Sequence, residues 1–336
     1  MIKKLMSITY KILVFYFLFK ILIISPALGG NTEDNFDVWL SSYKEFALKE
    51  GISQETLNIA FKNIKFLDQV IKYDRKQPEF FEDTITYVNK RATNLRVNNA
   101  KKLLKKNNIL FNDIENKFFV DKEILLALWG IETNFGKHVG KMDIISCLAT
   151  LSYDKRRSKF FSSQLLTLLK LIDEKLIDPK TLFGSWAGAY GNFQFMPSTI
   201  KRYAIDYDGN QKIELKLSLE DSVASAANYI NSIGWKKGEP CFYRVKLTNK
   251  LNKKYLNLSA RKISYRLKIS EWKNKGVLNF DGTDLKTNLR AALIMPDGEL
   301  KTPIFLVFQN YEKILKWNRS LRFGISVCTL ANMIKI

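Results

Sequence analysis

Lys122-Glu123-Ile124-Leu125-Leu126-Ala127-Leu128-Trp129-Gly130-Ile131-Glu132-Thr133-Asn134-Phe135-Gly136 is the segment on which the fold turns. From Lys122 to Ile131 it is apolar on every face after the first turn, the pattern of a helix buried inside a protein. It is too short for a membrane span, which needs roughly 20 residues. Glu132 follows directly, and Gly136 suggests that the helix is ending there. A carboxylate in that place is costly. Partial burial disfavours its charged form, and the negative end of the helix dipole pushes the same way. Both effects raise its pKa toward the range a general acid needs. On this segment alone a salt-bridged or capping carboxylate fits as well as a catalytic one.

Outward from this helix the chain reads mainly as helix. Phe36, Trp39, Leu40, Tyr43, Phe46 and Ala47 fall at helical spacing, and Gly51 supplies a left-handed stop. Ser53 suits the cap of a second helix facing inward through Leu57, Ala60, Phe61 and Ile64, and Pro78 suits the first turn of a third. Further helices are expected at Ser158 to Lys175 and Leu219 to Ile233, with the glycine-rich Gly184-Ser185-Trp186-Ala187-Gly188-Ala189-Tyr190-Gly191 between them. After Gly234 the texture changes. Phe242 to Leu247 alternates in part, and the apolar run Ala291 to Phe308 is divided by Pro296-Asp297-Gly298, a hairpin signal. A small β-rich unit is expected over 237–308, and helical spacing returns from Tyr311 to Ile336. The fold class is α+β, mainly α.

The first thirty residues have the order of a secretory signal: Lys3 and Lys4, an apolar stretch from Ile12 to Ile24 broken by Lys20, then Ser25-Pro26-Ala27-Leu28-Gly29-Gly30. Cleavage is the expectation, with an uncleaved anchor from Ile8 to Leu28 as the alternative. The chain is therefore read as exported to the periplasm, and no cysteine near this segment offers a lipid attachment point. Cys147, Cys241 and Cys328 are odd in number and far apart, without zinc-site spacing. At most one disulfide can form, and buried free thiols are the expectation. A net charge of +21 over 336 residues favours an anionic surface, either a membrane or the carboxylate-bearing cell wall. The lysines are scattered and the chain is exported, so nucleic acid is excluded as a partner. The single histidine, His138, lies in a loop pattern, which leaves no two-histidine metal site and disfavours a Ser/His/Asp triad.

Glycan cleavage usually takes two carboxylates, and Glu132 has no obvious partner. Asp143 and Asp154 come closest in sequence, but each reads equally well as an ordinary helix-start residue. A one-carboxylate mechanism needs the sugar to supply its own nucleophile.

Several segments, taken in order, resemble the membrane-bound lytic murein transglycosylase B group of peptidoglycan lyases. Asp74 with Gln77-Pro78-Glu79-Phe80 comes first, then Gly130 to Gly136, then Leu148-Ala149-Thr150-Leu151-Ser152-Tyr153 with Arg156, Arg157 and Phe160-Phe161. Gly184 to Ala189, Gln194-Phe195-Met196-Pro197-Ser198 and Ser225-Ala226-Ala227-Asn228-Tyr229 follow, and Pro296-Asp297-Gly298 and Trp317-Asn318-Arg319-Ser320 complete the series. Coverage runs over 34–336. The resemblance implies a lysozyme-like catalytic core (116–236), a flanking α domain (34–115, completed by 309–336) and a small β-rich domain (237–308). It also implies that Glu132 protonates the bridging oxygen between N-acetylmuramic acid and N-acetylglucosamine. The same group then takes a proton from the muramoyl C6 hydroxyl as that oxygen closes onto C1, leaving a 1,6-anhydromuramoyl end. No water is consumed, so no second carboxylate is required.

By the same matching, Ser185, Gln194, Tyr229, Trp317 and Asn318 are expected to bond or stack on sugars, with Arg156 and Arg157 near peptide or acidic groups. Tyr229 and Trp317 also read as core aromatics, and Gln194 as a residue that simply holds the glycine-rich turn. Asp206, Asp208, Asn210, Lys212 and Asp221 resemble a calcium loop, for a structural ion not required by the chemistry. Two departures weaken that match: Gln211 stands where an EF-hand has glycine, and one extra residue precedes Asp221. The partner is the peptidoglycan glycan strand, and a monomer is expected. The competing expectations are a hydrolytic muramidase that admits water, and a non-catalytic wall-binding scaffold.

Overall fold

The computed structural model describes residues 33–76, 82–298, 301 and 303–336. The chain divides into two units, Met1–Tyr43 and Lys44–Ile336. The export segment lies outside the described residues, as do the Gln77-Pro78-Glu79-Phe80 element and the helix start expected at Pro78. Among those described, no helix is long and apolar enough to cross a membrane.

The helices α1 (Glu33–Lys49), α2 (Gln54–Ala60) and α3 (Asp68–Arg75) come first. The expected stop at Gly51 is present, with φ at +90°, and Ser53 caps α2 by accepting from the Thr56 amide at 3.2 Å. Next are α4 (Thr84–Arg91), α5 (Asn94–Lys106), α6 (Asn108–Phe118) and α7 (Lys122–Thr133). In α7 every residue from Ile124 to Gly130 is buried, as the unbroken apolar run required.

Strand β1 (Met142–Asp143) leads into α8 (Ile144–Tyr153), and α9 (Ser158–Asp173) follows. β1 pairs antiparallel with β2 (Phe183–Gly184). Asp143 is the helix-start residue the sequence suggested, accepting from the Ile145 amide at 3.1 Å and the Ser146 hydroxyl at 2.6 Å. Asp154 differs from its expected place: it closes α8 rather than opening a helix. Its buried carboxylate is neutralised by Arg75 at 2.9 Å. Beyond the glycine-rich loop come α10 (Pro197–Tyr203), with proline in its first turn, and α11 (Leu219–Ser232), capped by Ser218.

The sheet occupies the segment expected to be β-rich. Its strands are β3 (Phe242–Leu247), β4 (Leu256–Asn257), β5 (Leu267–Lys268), β6 (Val277–Asn279), β7 (Arg290–Ile294) and β8 (Ile304–Val307), with α12 (Ile269–Asn274) inserted. The order is β4-β7-β8-β3-β6, with β5 also on β7. β7 and β8 are antiparallel, Ala292 facing Val307 and Ile294 facing Phe305. They are buried along both faces, which is why Ala291 to Met295 and Ile304 to Phe308 read as continuous apolar runs. Trp272 anchors one face, fully buried and donating its indole N–H to the Ala291 carbonyl at 2.9 Å. Pro296-Asp297-Gly298 does more than turn the chain. Asp297 accepts from the Thr84 amide at 3.0 Å and from Arg322 at 2.9 Å, so it joins the start of α4 to the last helix.

The chain ends in α13 (Gln309–Trp317) and α14 (Leu321–Lys335). α14 returns to pack against α4, α5 and α7. That return corrects the expectation of free thiols. It brings Cys328 of α14 to Cys241 at the entrance to β3, where they form a disulfide with Cα atoms 6.1 Å apart. Sequence spacing carries no sign of the juxtaposition because the chain between them makes the whole of this sheet. Cys147 stays free and buried, and burial pushes its thiol up to about 12.

Candidate active site

Glu132 stands on the last turn of α7, half-buried. The helix stops in an unusual way: Asn134, Phe135 and Gly136 all lie in the left-handed region, at φ of 49°, 60° and 81°. Asparagine and glycine take that conformation readily, and phenylalanine does not. Tertiary contact holds it. The Phe135 ring folds back edge-on to Trp129, with centroids 5.6 Å apart, and covers Gly130 so closely that a Cβ there would lie 2.8 Å from the ring. Gly130 is therefore the gap that lets the chain reverse directly after Glu132.

Asn192 fixes the reversal from below. Its Oδ1 accepts the Trp129 indole N–H at 3.0 Å, and its backbone carbonyl accepts the Thr133 hydroxyl at 2.7 Å. Its Nδ2 donates to the Ser222 hydroxyl at 3.1 Å and to the carbonyls of Leu215 and Lys216, each at 3.3 Å. One buried amide thus ties α7, the glycine-rich loop and α11 together around Glu132. Sequence reasoning missed it: an asparagine beside Gly191 looks like any turn residue.

One partner of Glu132 comes from the far end of the chain. Trp317, the last residue of α13, donates its indole N–H to Glu132 Oε1 at 2.9 Å. The ring stacks on Tyr229 of α11, with centroids 5.1 Å apart at 22°. Tyr229 in turn stacks on Tyr203 of α10 at 4.4 Å and 21°. Phe195 meets both Trp317 and Tyr229 edge-on. The Tyr229 hydroxyl donates to the Lys316 carbonyl at 3.1 Å, and burial pushes its pKa up to about 12, so it remains a protonated donor at neutral pH. Tyr203 is the second residue the sequence reading passed over, and its only signal was its position six residues after the Gln194-Phe195-Met196-Pro197 run.

The remaining candidates are placed as follows. Gln194 sits at φ 50° and donates its side-chain N–H groups to Val139 O at 3.1 Å and Gly191 O at 2.9 Å, holding two loops together. Ser185 Oγ accepts from the Ala189 amide at 3.0 Å, closing the glycine-rich turn. Asn318 caps the C-terminal end of α13, next to Trp317. Arg156 and Arg157 both converge on Asp74, a carboxylate that is 2 % exposed. Arg156 Nε donates to Asp74 Oδ2 at 2.6 Å. Two half-exposed guanidinium groups offset the cost of burying that charge.

In the Asp206 to Lys212 loop, Asp206, Asp208 and Asp221 present carboxylate oxygens within 4.8 Å of one another. Asp206 accepts from the amides of Gly209 at 2.8 Å and Gln211 at 2.7 Å, and Asp221 accepts from those of Tyr207 at 2.8 Å and Glu214 at 2.9 Å. Gln211 takes φ 69°, so the residue that departs from the EF-hand pattern nevertheless adopts the backbone a glycine would. His138 is exposed, as a solvated loop histidine would be.

The geometry unites a carboxylate at the end of a buried helix, an N–H donor aimed at it, and a stack of three aromatic rings, Trp317, Tyr229 and Tyr203, beside them. The sequence profile of the family described as "Transglycosylase SLT domain" matches residues 35–332. Over 121 residues the chain is 43% identical to membrane-bound lytic murein transglycosylase B of Escherichia coli strain K12, across 36% of this chain and 33% of that protein. The aligned stretch thus spans about a third of that curated relative.

Among solved structures, SltB3 from Pseudomonas aeruginosa in complex with NAG-NAM-pentapeptide superposes with a TM-score of 0.82 at 33% identity, covering 89% of this chain and 79% of that one. The Escherichia coli lytic transglycosylase Slt35 in complex with calcium gives 0.74 at 27% identity, over 88% and 92%. Their lysozyme-like fold is the one expected from the sequence. With the family profile spanning nearly its whole length, the chain belongs to the transglycosylase SLT domain family, among the lytic murein transglycosylases.

Proposed function

We propose that this protein cleaves the β-1,4 bond between N-acetylmuramic acid and N-acetylglucosamine in peptidoglycan, with Glu132 as acid and then base. The observation that carries the reading is Glu132 on the last turn of a buried helix, bonded to Trp317 at the end of an aromatic stack. The protonated carboxyl gives its proton to the bridging oxygen as the C1–O bond breaks. The resulting carboxylate takes the proton of the muramoyl C6 hydroxyl while that oxygen bonds to C1. Protons balance, and no water enters. Asp143 and Asp154 are occupied by a helix cap and by Arg75, which supports a mechanism without a second carboxylate. Substrate recognition by Tyr229, Trp317, Asn318, Ser185 and Gln194 belongs to the same proposal. It is supported by the NAG-NAM-pentapeptide found on the Pseudomonas relative. Mass spectrometry of digested sacculi provides the test. Anhydro ends, lighter by one water than reducing ends, are expected, and a digest containing only reducing ends would replace the lyase with a hydrolase.

Calcium fits the Asp206 loop as a structural ion. Asp206, Asp208 and Asp221 bring carboxylate oxygens together, the Asn210 side chain and the Lys212 carbonyl would complete an all-oxygen donor set suited to a hard cation, and the Escherichia coli relative was solved with calcium. The ion would tie the loop to the start of α11 and take no part in proton transfer. Saturating calcium should raise the unfolding midpoint by several degrees over a chelated sample, as expected near 100-fold excess over Kd. Asp208→Asn should remove that difference. Equal midpoints with and without calcium would reduce the loop to an Asx-rich turn. The division into α, core and β-rich domains, periplasmic localisation and a monomeric state complete the proposal.

A further inference from the structure

The inner and outer sides of α5 are of opposite character. Inward, Val97 and Ala100 are buried, and Arg96 donates from Nε to the Gly130 carbonyl of α7 at 3.1 Å. Outward, Lys101, Lys102, Lys105 and Lys106 are all exposed, and the helix carries no acidic residue. Like charges three and four residues apart on a helix repel one another. Among the described residues none of the four joins an ion pair. The acids of the following helix are already engaged, Asp113 by the Tyr207 hydroxyl and Glu115 by Lys122 and Lys237.

Two large aliphatic side chains lie to either side of the lysines in sequence: Leu95, 70% exposed on the same outer face, and Ile109, 82% exposed in the first turn of α6. At 3.6 residues per turn, Leu95, Lys102 and Lys106 lie along one line. A soluble polyanion would reward the lysines and leave the aliphatics in water. A bilayer interface rewards both, with headgroup charge for the ammonium groups and the acyl boundary for Leu95 and Ile109.

We infer that the outer face of α5 docks on an anionic bilayer surface, independently of the N-terminal segment and on the side of α5 opposite its contact with the helix that carries Glu132. The test is partitioning of the full chain onto phosphatidylcholine vesicles with and without 30% phosphatidylglycerol. The ratio of the two partition coefficients isolates the anion-dependent part. Lys101, Lys102, Lys105 and Lys106 changed together to Gln should lower that ratio by about 30-fold or more at low salt. A control with Lys62, Lys159, Lys180 and Lys262 changed to Gln loses the same charge from scattered exposed positions and should stay within about threefold of wild type. Leu95→Asn with Ile109→Asn keeps every charge and should weaken binding to the anionic vesicles by about fivefold or more. Circular dichroism and unfolding midpoints check that each variant is folded. Equal losses in the two lysine sets would reduce the effect to net charge and overturn the inference. An unchanged affinity in the Leu95/Ile109 variant would overturn it in favour of a soluble polyanion.

Discussion

Glu132→Gln is expected to lower the rate of glycan cleavage by about a thousandfold or more while leaving the protein folded and its affinity for glycan fragments within a few fold of wild type. Proton transfer by a positioned side chain contributes typically about 10²–10⁴-fold, and here one group is asked to act twice, as acid and then as base. The substitution is nearly isosteric. A glutamine Oε1 still accepts the Trp317 indole N–H, which in the native protein lies 2.9 Å from the carboxylate. Thr133, Asn192 and the left-handed turn after Glu132 are untouched, so the local fold that presents the group is kept. Measured on purified sacculi, undiminished release of muropeptides by this variant would remove Glu132 from the mechanism. A loss of binding together with cleavage would instead mark it as a substrate contact.

Much of this arrangement was legible because it rests on local chemistry. An unbroken apolar run can only be a buried element, so α7 was readable from Ile124 to Gly130. Ser53 and Asp143 announced helix starts through oxygens that accept from backbone amides two or three residues on. What the sequence hid depends on residues far apart in the chain. Phe135 is forced into a backbone region that its own type disfavours, because its ring fills the space over Gly130.

Asn192 serves three elements, yet nothing in its neighbourhood distinguishes it from a turn asparagine. Arg156 and Arg157 were expected near peptide or acidic groups. The acidic group they meet is the protein's own Asp74, some eighty positions earlier, and that pairing needs the tertiary fold to be visible. From its sequence context Trp317 reads as a sugar platform or a core ring. Its bond to Glu132 adds a role that residue type alone does not suggest, since an indole has one polar atom and the fold decides where it points.

The disulfide gives the second large expected effect. Cys241 and Cys328 are 87 residues apart, and the segment between them contains all of β3 to β8 and α13. Cross-linking a loop of that length removes conformational freedom from the unfolded chain worth about 4–5 kcal/mol in the chain-entropy account. Changing both residues to Ser should therefore lower the unfolding midpoint by about 8 °C or more, and reductant should shift the wild type similarly while leaving the double variant unmoved. Folding itself should survive, because the segment leading into Cys241 is also held to α13 by hydrogen bonds. Asn310 accepts from the Lys236 amide at 2.9 Å and donates to the carbonyls of Lys236 at 2.7 Å and Glu239 at 2.9 Å. Cys147 does not confuse the result. It is buried and its thiol is pushed up to about 12, so at neutral pH it offers almost no thiolate to exchange with the bridge. Titration of the denatured, unreduced protein should find one thiol. Three thiols there, or a double variant that melts with the wild type, would show that the fold closes this junction without a covalent link.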